Sequence, residues 1–177
     1  MAEKDLEFLH DILSTCRPHD SVGERAIGHY LKDDMKADVY TDKRTGEEIA
    51  YVLKQGESKI LWSSHIDTVH PSTAPMTQDI VFDTEAGLAT TAKGAKYCLG
   101  ADDGAGVWLL LEMYNAGVPG TYIFHRGEEK GGIGSKAMSE QYESFLKQFT
   151  HAIAFDRRGT GDVINHQACG RCCSNAF

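Results

Sequence analysis

The sequence has no long apolar run, and its basic residues are outnumbered by acidic ones. No window approaches the roughly 18 consecutive apolar residues of a membrane span, and residues 1–5 carry charges where a secretory signal peptide would be apolar. The formal net charge of −8 argues against nucleic acid or an anionic membrane surface as a partner, because both bind concentrated Lys and Arg. We therefore expect a soluble, cytoplasmic protein.

Cysteine is also scarce, and the five cysteines cannot all form pairs. They lie at positions 16, 98, 169, 172 and 173, a usage typical of a reducing compartment and not of a disulfide framework. Cys169 and Cys172 have CxxC spacing, but a structural zinc site needs a second such pair or a suitably spaced pair of histidines, which the sequence lacks. Free thiols explain these cysteines better than a metal-binding knuckle.

Length and composition fit one globular domain. A chain of 177 residues is long enough for one core and too short for two domains of usual size. Its 41% of hydrophobic and 25% of charged residues are typical of a globular protein. Apolar residues at helical spacing predict helices over residues 3–16 and 21–35, and Ser21 lies three residues before Glu24, the spacing of a capping box.

Strands and helices alternate along the rest of the chain. Residues 70–97 are rich in Thr, Pro and Gly and predict a long loop with a hairpin, a kind of loop that often borders a functional site. The alternation predicts an α/β fold, with three α/β/α layers around a central, mostly parallel mixed sheet. The other predicted elements are strands at 39–41, 49–53, 59–62, 122–124, 151–155 and 162–165, and helices at 104–116 and 135–149.

An acidic pair lies within a glycine-rich turn ahead of an apolar helical run. Asp102 and Asp103 are flanked by Gly100, Gly104 and Gly106, and glycine lets the backbone adopt positive φ and approach a neighbouring group closely. A turn of this kind can hold a metal ion. The same pair at a helix start can instead cap the helix and compensate its dipole, so the motif alone leaves both interpretations open.

Carboxylate and imidazole groups follow several of the predicted strands. Ligands of open α/β sheets bind beyond the carboxyl ends of strands, so groups far apart in sequence converge there. Taken singly, each group also has a structural explanation, as a core histidine, a helix cap or a turn residue. Together they predict a metal site, because such dense negative charge requires cations and because His with carboxylates suits zinc or manganese. The groups are His65 with Asp67, Asp102 with Asp103, Glu128 with Glu129, and Asp156.

These groups lie in motifs that resemble the ordered motifs of co-catalytic zinc exopeptidases, the clan of tripeptidase T, bacterial glutamate carboxypeptidase and aminoacylase. The likeness covers most of residues 21–165 and is nearest to the tripeptidase-like branch. It implies a zinc-exopeptidase-like fold and hydrolysis of peptide or N-acyl amide bonds in small peptides or N-acyl amino acids. The motifs are His65-Ile66-Asp67, residues 100–106, residues 127–135 and Phe155-Asp156.

The resemblance also implies which residues would hold metal. His65 and Asp156 would bind one ion, Asp102 would bridge two ions, and Glu129 would bind the second. The cofactors would be two divalent metal ions, most simply zinc, with cobalt or manganese as alternatives. A water activated between two such ions requires no Ser or Cys nucleophile.

Two further roles follow from the same resemblance. Asp67 would orient the ring of His65 through its other nitrogen. Glu128 would be the general base that takes a proton from the water and passes it to the leaving amine. The peptide bond between Asp102 and Asp103 is often cis in this clan.

The sequence departs from the clan's pattern in three respects. Relatives supply the remaining ligand of the second metal from a histidine late in the chain, and many insert a lid domain after the position of Asp156; neither is visible here. His166 is the only histidine beyond Asp156, and a surface role suits it better than ligation. Gly127 stands where relatives commonly have an acidic residue. We expect a single catalytic-type domain over residues 1–177, incomplete at its C-terminus.

Two functions from different classes remain open at this point. The first is a two-metal peptidase, and the second is a non-catalytic metal-binding or scaffold protein of the same fold. Arg157 and Arg158 could anchor a substrate carboxylate by bidentate pairing, although solvated surface arginines explain them better. The sequence gives no indication of the oligomeric state.

Overall fold

A mixed five-stranded sheet forms the centre of the structure, a computed structural model that describes residues 3–159, 161–167 and 170–173. The strands, in chain order, are β1 (Asp38–Thr41), β2 (Glu48–Gln55), β3 (Ile60–His65), β4 (Ile80–Asp83), β5 (Leu88–Thr91), β6 (Gly120–His125), β7 (His151–Ala154), β8 (His166–Gln167) and β9 (Gly170–Arg171). The sheet has the order β1-β2-β6-β3-β7, and β4–β5 and β8–β9 form two small ribbons outside it.

Four of the five strands of the sheet run in the same direction. β3 pairs in parallel with both β6 and β7, whereas β2 runs antiparallel to β1 and β6. The parallel register places His65 beside His125, so the carboxyl ends of β3 and β6 are level. The prediction of a mostly parallel mixed sheet is confirmed.

Helices flank the sheet and account for most of the remaining ordered chain. They are α1 (Glu3–Ser14), α2 (Val22–His29), a π-helical turn (Tyr30–Asp34), α3 (Ala101–Asn115), a 3-10 turn (Glu128–Lys130), α4 (Ile133–Gln141) and α5 (Glu143–Leu146). Ser21 caps α2 as its spacing predicted, because its side chain accepts a hydrogen bond from the Glu24 N–H at 3.1 Å. None of the helices in the described ranges is both long and apolar enough to cross a membrane.

The alternation of side chains along β2 divides the core into two halves. Tyr51 and Leu53 are buried against α1 and α3 on one face, while Ala50 and Val52 are buried against α4 and α5 on the other. Each large apolar side chain buried in this way contributes roughly 1.5–3 kcal/mol. The structure is therefore the predicted three-layer α/β/α arrangement, and its described residues contain no inserted lid domain.

Two predicted elements are wrong in their extent. The helix predicted over 135–149 is interrupted at Tyr142, whose backbone has φ of −129° and whose hydroxyl donates to the Thr41 carbonyl at 2.6 Å. This anchor to β1 stops α4 and starts the separate α5. The strand predicted at 162–165 does not form: Val163 is 71% exposed, and the short pairing occurs instead between β8 and β9.

A buried ion pair connects α2 to the end of β6. Glu24 is fully buried, and its carboxylate accepts hydrogen bonds from the Arg126 guanidinium at 2.7 Å and from the Asp20 N–H at 2.8 Å. Arg126 in turn donates to the Glu48 carbonyl at 3.0 Å. This pair fixes α2 against the sheet directly below the loop that follows β6.

Removing one partner of this pair should destabilise the fold strongly. We expect Glu24→Ala to lower the free energy of unfolding by about 3 kcal/mol, because the buried Arg126 would lose its buried partner and keep only the exposed carboxylate of Asp20, at 3.0 Å. Urea unfolding followed by circular dichroism measures the change. The matched control is Glu143→Ala, which removes an exposed pair with Lys147 and should change stability little. Equal effects of the two substitutions would contradict this account of the buried pair.

Candidate metal centre

The carboxyl ends of three parallel strands bring the predicted site residues to one edge of the sheet. His65 is the last residue of β3, Glu128 and Glu129 follow β6, and Asp156 follows β7. Asp102 reaches the same edge from the start of α3, which packs on β3. This convergence follows from the parallel strand order, since parallel strands end at the same side of a sheet.

One group of potential metal ligands consists of His65, Asp102 and Asp156. The Nε2 atom of His65 lies 3.1 Å from Oδ1 of Asp102 and 3.9 Å from Oδ2 of Asp156. The imidazole is buried, whereas the side chain of Asp102 is 69% exposed. A nitrogen from the protein interior and two carboxylates from the solvent side thus face one point, with one donor atom from each within 4.8 Å of the others.

A second group shares the same histidine. His65, Glu128 and Glu129 each place one donor atom within 4.8 Å of the other two. Glu128 is exposed and Glu129 is half-buried in the 3-10 turn that opens after β6. His65 belongs to both groups. Nitrogen and carboxylate donors of the kinds that bind zinc therefore surround this one histidine.

The buried carboxylate of Asp67 holds both parts of this arrangement. Nδ1 of His65, the ring nitrogen that faces away from Asp102, lies 3.0 Å from the main-chain carbonyl of Asp67 and 3.4 Å from Oδ1 of its carboxylate. The same carboxylate accepts hydrogen bonds from the backbone N–H groups of Glu128 and Glu129 at 2.9 and 3.0 Å. Asp67 therefore orients the histidine and positions the glutamate pair at once.

The acidic pair at the start of α3 divides into two roles. The peptide bond between Asp102 and Asp103 is cis, and the two side chains point to different surroundings. Asp103 is buried; its carboxylate accepts from the Ser64 hydroxyl at 2.6 Å and from the Gly106 N–H at 3.1 Å. Asp103 thus caps the helix, while Asp102 stays exposed beside His65. The capping role therefore belongs to Asp103 and leaves the carboxylate of Asp102 without that role.

The density of negative charge shows in the pKa values of the site. Burial would lower the pKa of His65, but its bond to Asp67 and the nearby carboxylates Asp103 and Asp156 outweigh burial and raise it to about 9. Burial and repulsion from Asp102 raise the pKa of Asp156 to about 7. Burial and the same neighbour raise the pKa of Glu129. A bound cation would favour the deprotonated forms of these groups, the neutral imidazole and the ionised carboxylates, which are the forms that bind metal.

A third group of similar donors has a structural explanation. His19, Glu24 and Asp67 lie within the same distance limit, but the Glu24 carboxylate is already neutralised by Arg126. His19 bonds to Glu24 at 3.1 Å and packs against Gly127, where a Cβ would come within 3.0 Å of its ring. A Cβ at Gly127 would also lie 3.0 Å from Ile133, and the φ of Gly127 is +66°, so a larger side chain would be strained there.

Other residues singled out in the sequence lie outside the site. His166 is exposed and bonds to its neighbour Asn165, and it belongs to none of the three donor groups found among the described residues. Cys172 and Cys173 are free thiols, while Cys169 lies outside the described residues. Arg157 is exposed and lies 3.6 Å from Asp162.

Sequence reasoning missed several residues that support the site. His19 and the Glu24–Arg126 pair act through contacts between segments far apart in the chain, since His19 packs against Gly127. The capping-box spacing of Ser21 and Glu24 indicated a helix start and gave no sign that Glu24 also forms a buried ion pair.

Comparison with solved structures places the fold. The aminopeptidase PepT from Bacillus cereus matches with a TM-score of 0.63 and 22% identity, over 87% of this chain and 43% of that chain. An aminoacylhistidine dipeptidase from Vibrio alginolyticus matches with a TM-score of 0.54 and 22% identity, over 77% of this chain and 30% of that one. The resemblance stated from the motifs is thus confirmed for the fold.

The chain spans less than half the length of either of these two peptidases. No protein-family profile matches the sequence, and no curated protein matches it. The comparisons therefore establish a shared architecture.

Metal binding at this site should depend on pH. A divalent ion takes the neutral imidazole of His65, so below about pH 9 binding must displace a proton. The apparent affinity for Zn²⁺ should therefore rise by up to roughly tenfold per unit between about pH 7 and about pH 9, and more steeply below about pH 7, where the carboxyl of Asp156 must also lose a proton. Calorimetric titration in two buffers of different ionisation enthalpy measures affinity and proton release together. A constant affinity with no proton release would contradict the assignment of His65 as a ligand.

Proposed function

We propose that this chain is a metal-dependent hydrolase of the peptidase type, which cleaves peptide or N-acyl amide bonds in small substrates. The observation that carries the proposal is the convergence of His65, Asp102, Glu129 and Asp156 at one sheet edge. The fold is shared with two peptidases. Hydrolysis by the chain itself is the proposal.

The described residues supply three donors for one divalent ion and fewer for a second. His65, Asp156 and Asp102, whose exposed carboxylate lies 3.1 Å from His65, would hold the first ion. Glu129 would hold the second, with Asp102 as the proposed shared ligand. Imidazole and carboxylate donors are those that zinc takes in catalytic sites, and cobalt and manganese accept the same set. When bound, the ions would lower the pKa of a water and polarise the scissile carbonyl.

Glu128 would move the proton. Its backbone N–H is fixed by Asp67, and its side chain is exposed beside the ligands. A carboxylate in that position can accept the proton of the attacking water and return it to the leaving amine. The N–H of Glu129 donates to the other oxygen of the Asp67 carboxylate. The half-buried carboxylate of Glu129 would bind the metal.

A substrate carboxylate would find positive charge next to the site. Arg157 and Arg158 follow Asp156 directly, and both are exposed. Their guanidinium groups can pair with a carboxylate in a bidentate manner, which favours peptides and N-acyl amino acids with a free carboxyl terminus.

A second candidate function is a non-catalytic metal-binding or scaffold protein of the same fold. The observation that favours it is the partial overlap with the two peptidases, of which the chain spans 43% and 30%. Metal stoichiometry and hydrolysis separate the two candidates, because a scaffold protein would bind metal without turning over substrate.

Glu128→Gln tests the proposed general base. The wild type is expected to bind two metal ions per chain and to release free amino acids from di- and tripeptides or N-acyl amino acids with Zn²⁺, Co²⁺ or Mn²⁺ added. The variant should retain its metal and lose roughly 10²–10⁴-fold in rate, because a neutral amide cannot accept the proton. Mass spectrometric metal analysis and an amino-acid release assay provide the two readouts.

The control is Glu57→Gln, an exposed substitution in the turn between β2 and β3, which should leave both readouts unchanged. Hydrolysis that survives Glu128→Gln would overturn the role of Glu128. Absence of hydrolysis by a wild type that binds metal would favour the scaffold candidate.

A further inference from the structure

Arg17 is a fully buried arginine in the connection between α1 and α2, away from all the sequence motifs. Its exposed fraction is 0%, and it is the largest of the fully buried side chains. Burial lowers the pKa of Arg17 to about 10, partly offset by the nearby Asp103, so the guanidinium is charged at neutral pH. A buried charge of this kind is stable only when its donors are satisfied.

Main-chain carbonyls of three separate segments satisfy these donors. Nε of Arg17 donates to the Ile66 carbonyl at 2.9 Å, and Nη2 donates to the Gly100 carbonyl at 2.9 Å. Nη1 donates to the carbonyls of Ile12 and Thr15 at the end of α1. Among the described residues, no carboxylate lies within ion-pair distance of Arg17. Main-chain carbonyl oxygens therefore stabilise its charge by accepting hydrogen bonds.

Two of these acceptors lie directly beside the site residues. Ile66 is the residue between His65 and Asp67, and Gly100 lies two residues before Asp102. The planar guanidinium therefore spans the gap between the loop that carries the histidine and the loop that carries the exposed aspartate. The backbone adds one more link, since the Thr68 N–H donates to the Arg17 carbonyl at 2.9 Å.

The backbone of the glycine-rich acidic turn passes close to the guanidinium of Arg17. A Cβ at Gly104 would lie 2.6 Å from Nη2 of Arg17, and a Cβ at Gly100 would lie 3.8 Å from the same atom. Gly100 also has a φ of +70°, which disfavours other residues. The close approach of Arg17 thus explains the glycine at position 104, whereas Gly100 is required by its positive φ and by His70, which a Cβ there would meet at 2.9 Å.

We propose that Arg17 is a positioning residue, which sets the separation of His65 and Asp102 by bridging the Ile66 and Gly100 carbonyls and thereby controls the affinity of the site for divalent metal. The inference rests on the proposed function, because it concerns the same metal ligands. Lysine cannot replace the bridge, since an ammonium is a point donor and lacks the rigid fork that reaches several carbonyls in one plane.

Arg17→Lys and Arg17→Met test this role, with Arg44→Lys and Arg44→Met as matched controls at a surface ion pair with Glu140. Calorimetric titration with Zn²⁺ gives the affinity, the absorption spectrum of the Co²⁺-loaded protein reports ligand geometry, and thermal unfolding without metal reports the fold. Arg17→Lys should weaken Zn²⁺ binding roughly 10–100-fold and alter the Co²⁺ spectrum. The Arg44 variants should match the wild type.

Gly104→Ala provides an independent variant that keeps the arginine and displaces its guanidinium. It should also weaken Zn²⁺ binding, and it decides the question if both Arg17 variants fail to fold. Affinity within twofold of the wild type with an unchanged Co²⁺ spectrum, in a folded Arg17→Lys or in Gly104→Ala, would overturn the positioning role alone. A wild type that binds no metal would overturn the proposed function itself.

Discussion

The arrangement of the candidate metal centre depends on how the protein compensates one buried negative charge, the carboxylate of Asp67. Asp67 is fully buried, and a carboxylate in that position requires hydrogen-bond donors on every side. Two backbone N–H groups after β6 supply them, and the imidazole of His65, which is hydrogen-bonded to the main-chain carbonyl of Asp67, lies 3.4 Å from the carboxylate. These contacts come from His65, Glu128 and Glu129, which are residues of the candidate metal centre. The hydrogen bonds that compensate one buried carboxylate therefore also fix a histidine ring and a glutamate pair. The same donors hold the pKa of Asp67 below its usual range, in spite of burial.

Two classes of carboxylate result, and burial separates them. The first class is buried, and its carboxylate oxygens accept hydrogen bonds from N–H, O–H or guanidinium groups of the protein. Its members are Asp67, Asp103 and Glu24. Asp102 and Asp156 keep much of their side chains accessible and face a single imidazole nitrogen. The first class holds loops in place, and the second offers free lone pairs to a cation. Adjacent residues such as Asp102 and Asp103 fall into different classes because the backbone turns between them.

The sequence allowed the sheet, its layers and the convergence at the strand ends to be predicted, because periodicity and parallel strand order are local or general properties. Periodicity and spacing alone left Asp102 and Asp103 undecided between capping and ligation, and only the resemblance to a family favoured Asp102 as the ligand. The structure distinguishes them through the contacts of Asp103 with Ser64 on β3 and with the Gly106 N–H. Arg17 gave no signal because all its contacts except those to α1 lie far along the chain. The end of α4 was missed for the same reason: Tyr142 stops it through a hydrogen bond to β1.

The two ends of the donor set differ in how deeply the protein encloses them. His65 ends β3, which pairs with both β6 and β7, and its side chain is 4% exposed. Asp156 lies beyond the end of β7, and its side chain is 35% exposed. An ion at this point would therefore meet a nitrogen whose direction is set by the protein interior and a carboxylate that can adjust its position from the solvent side.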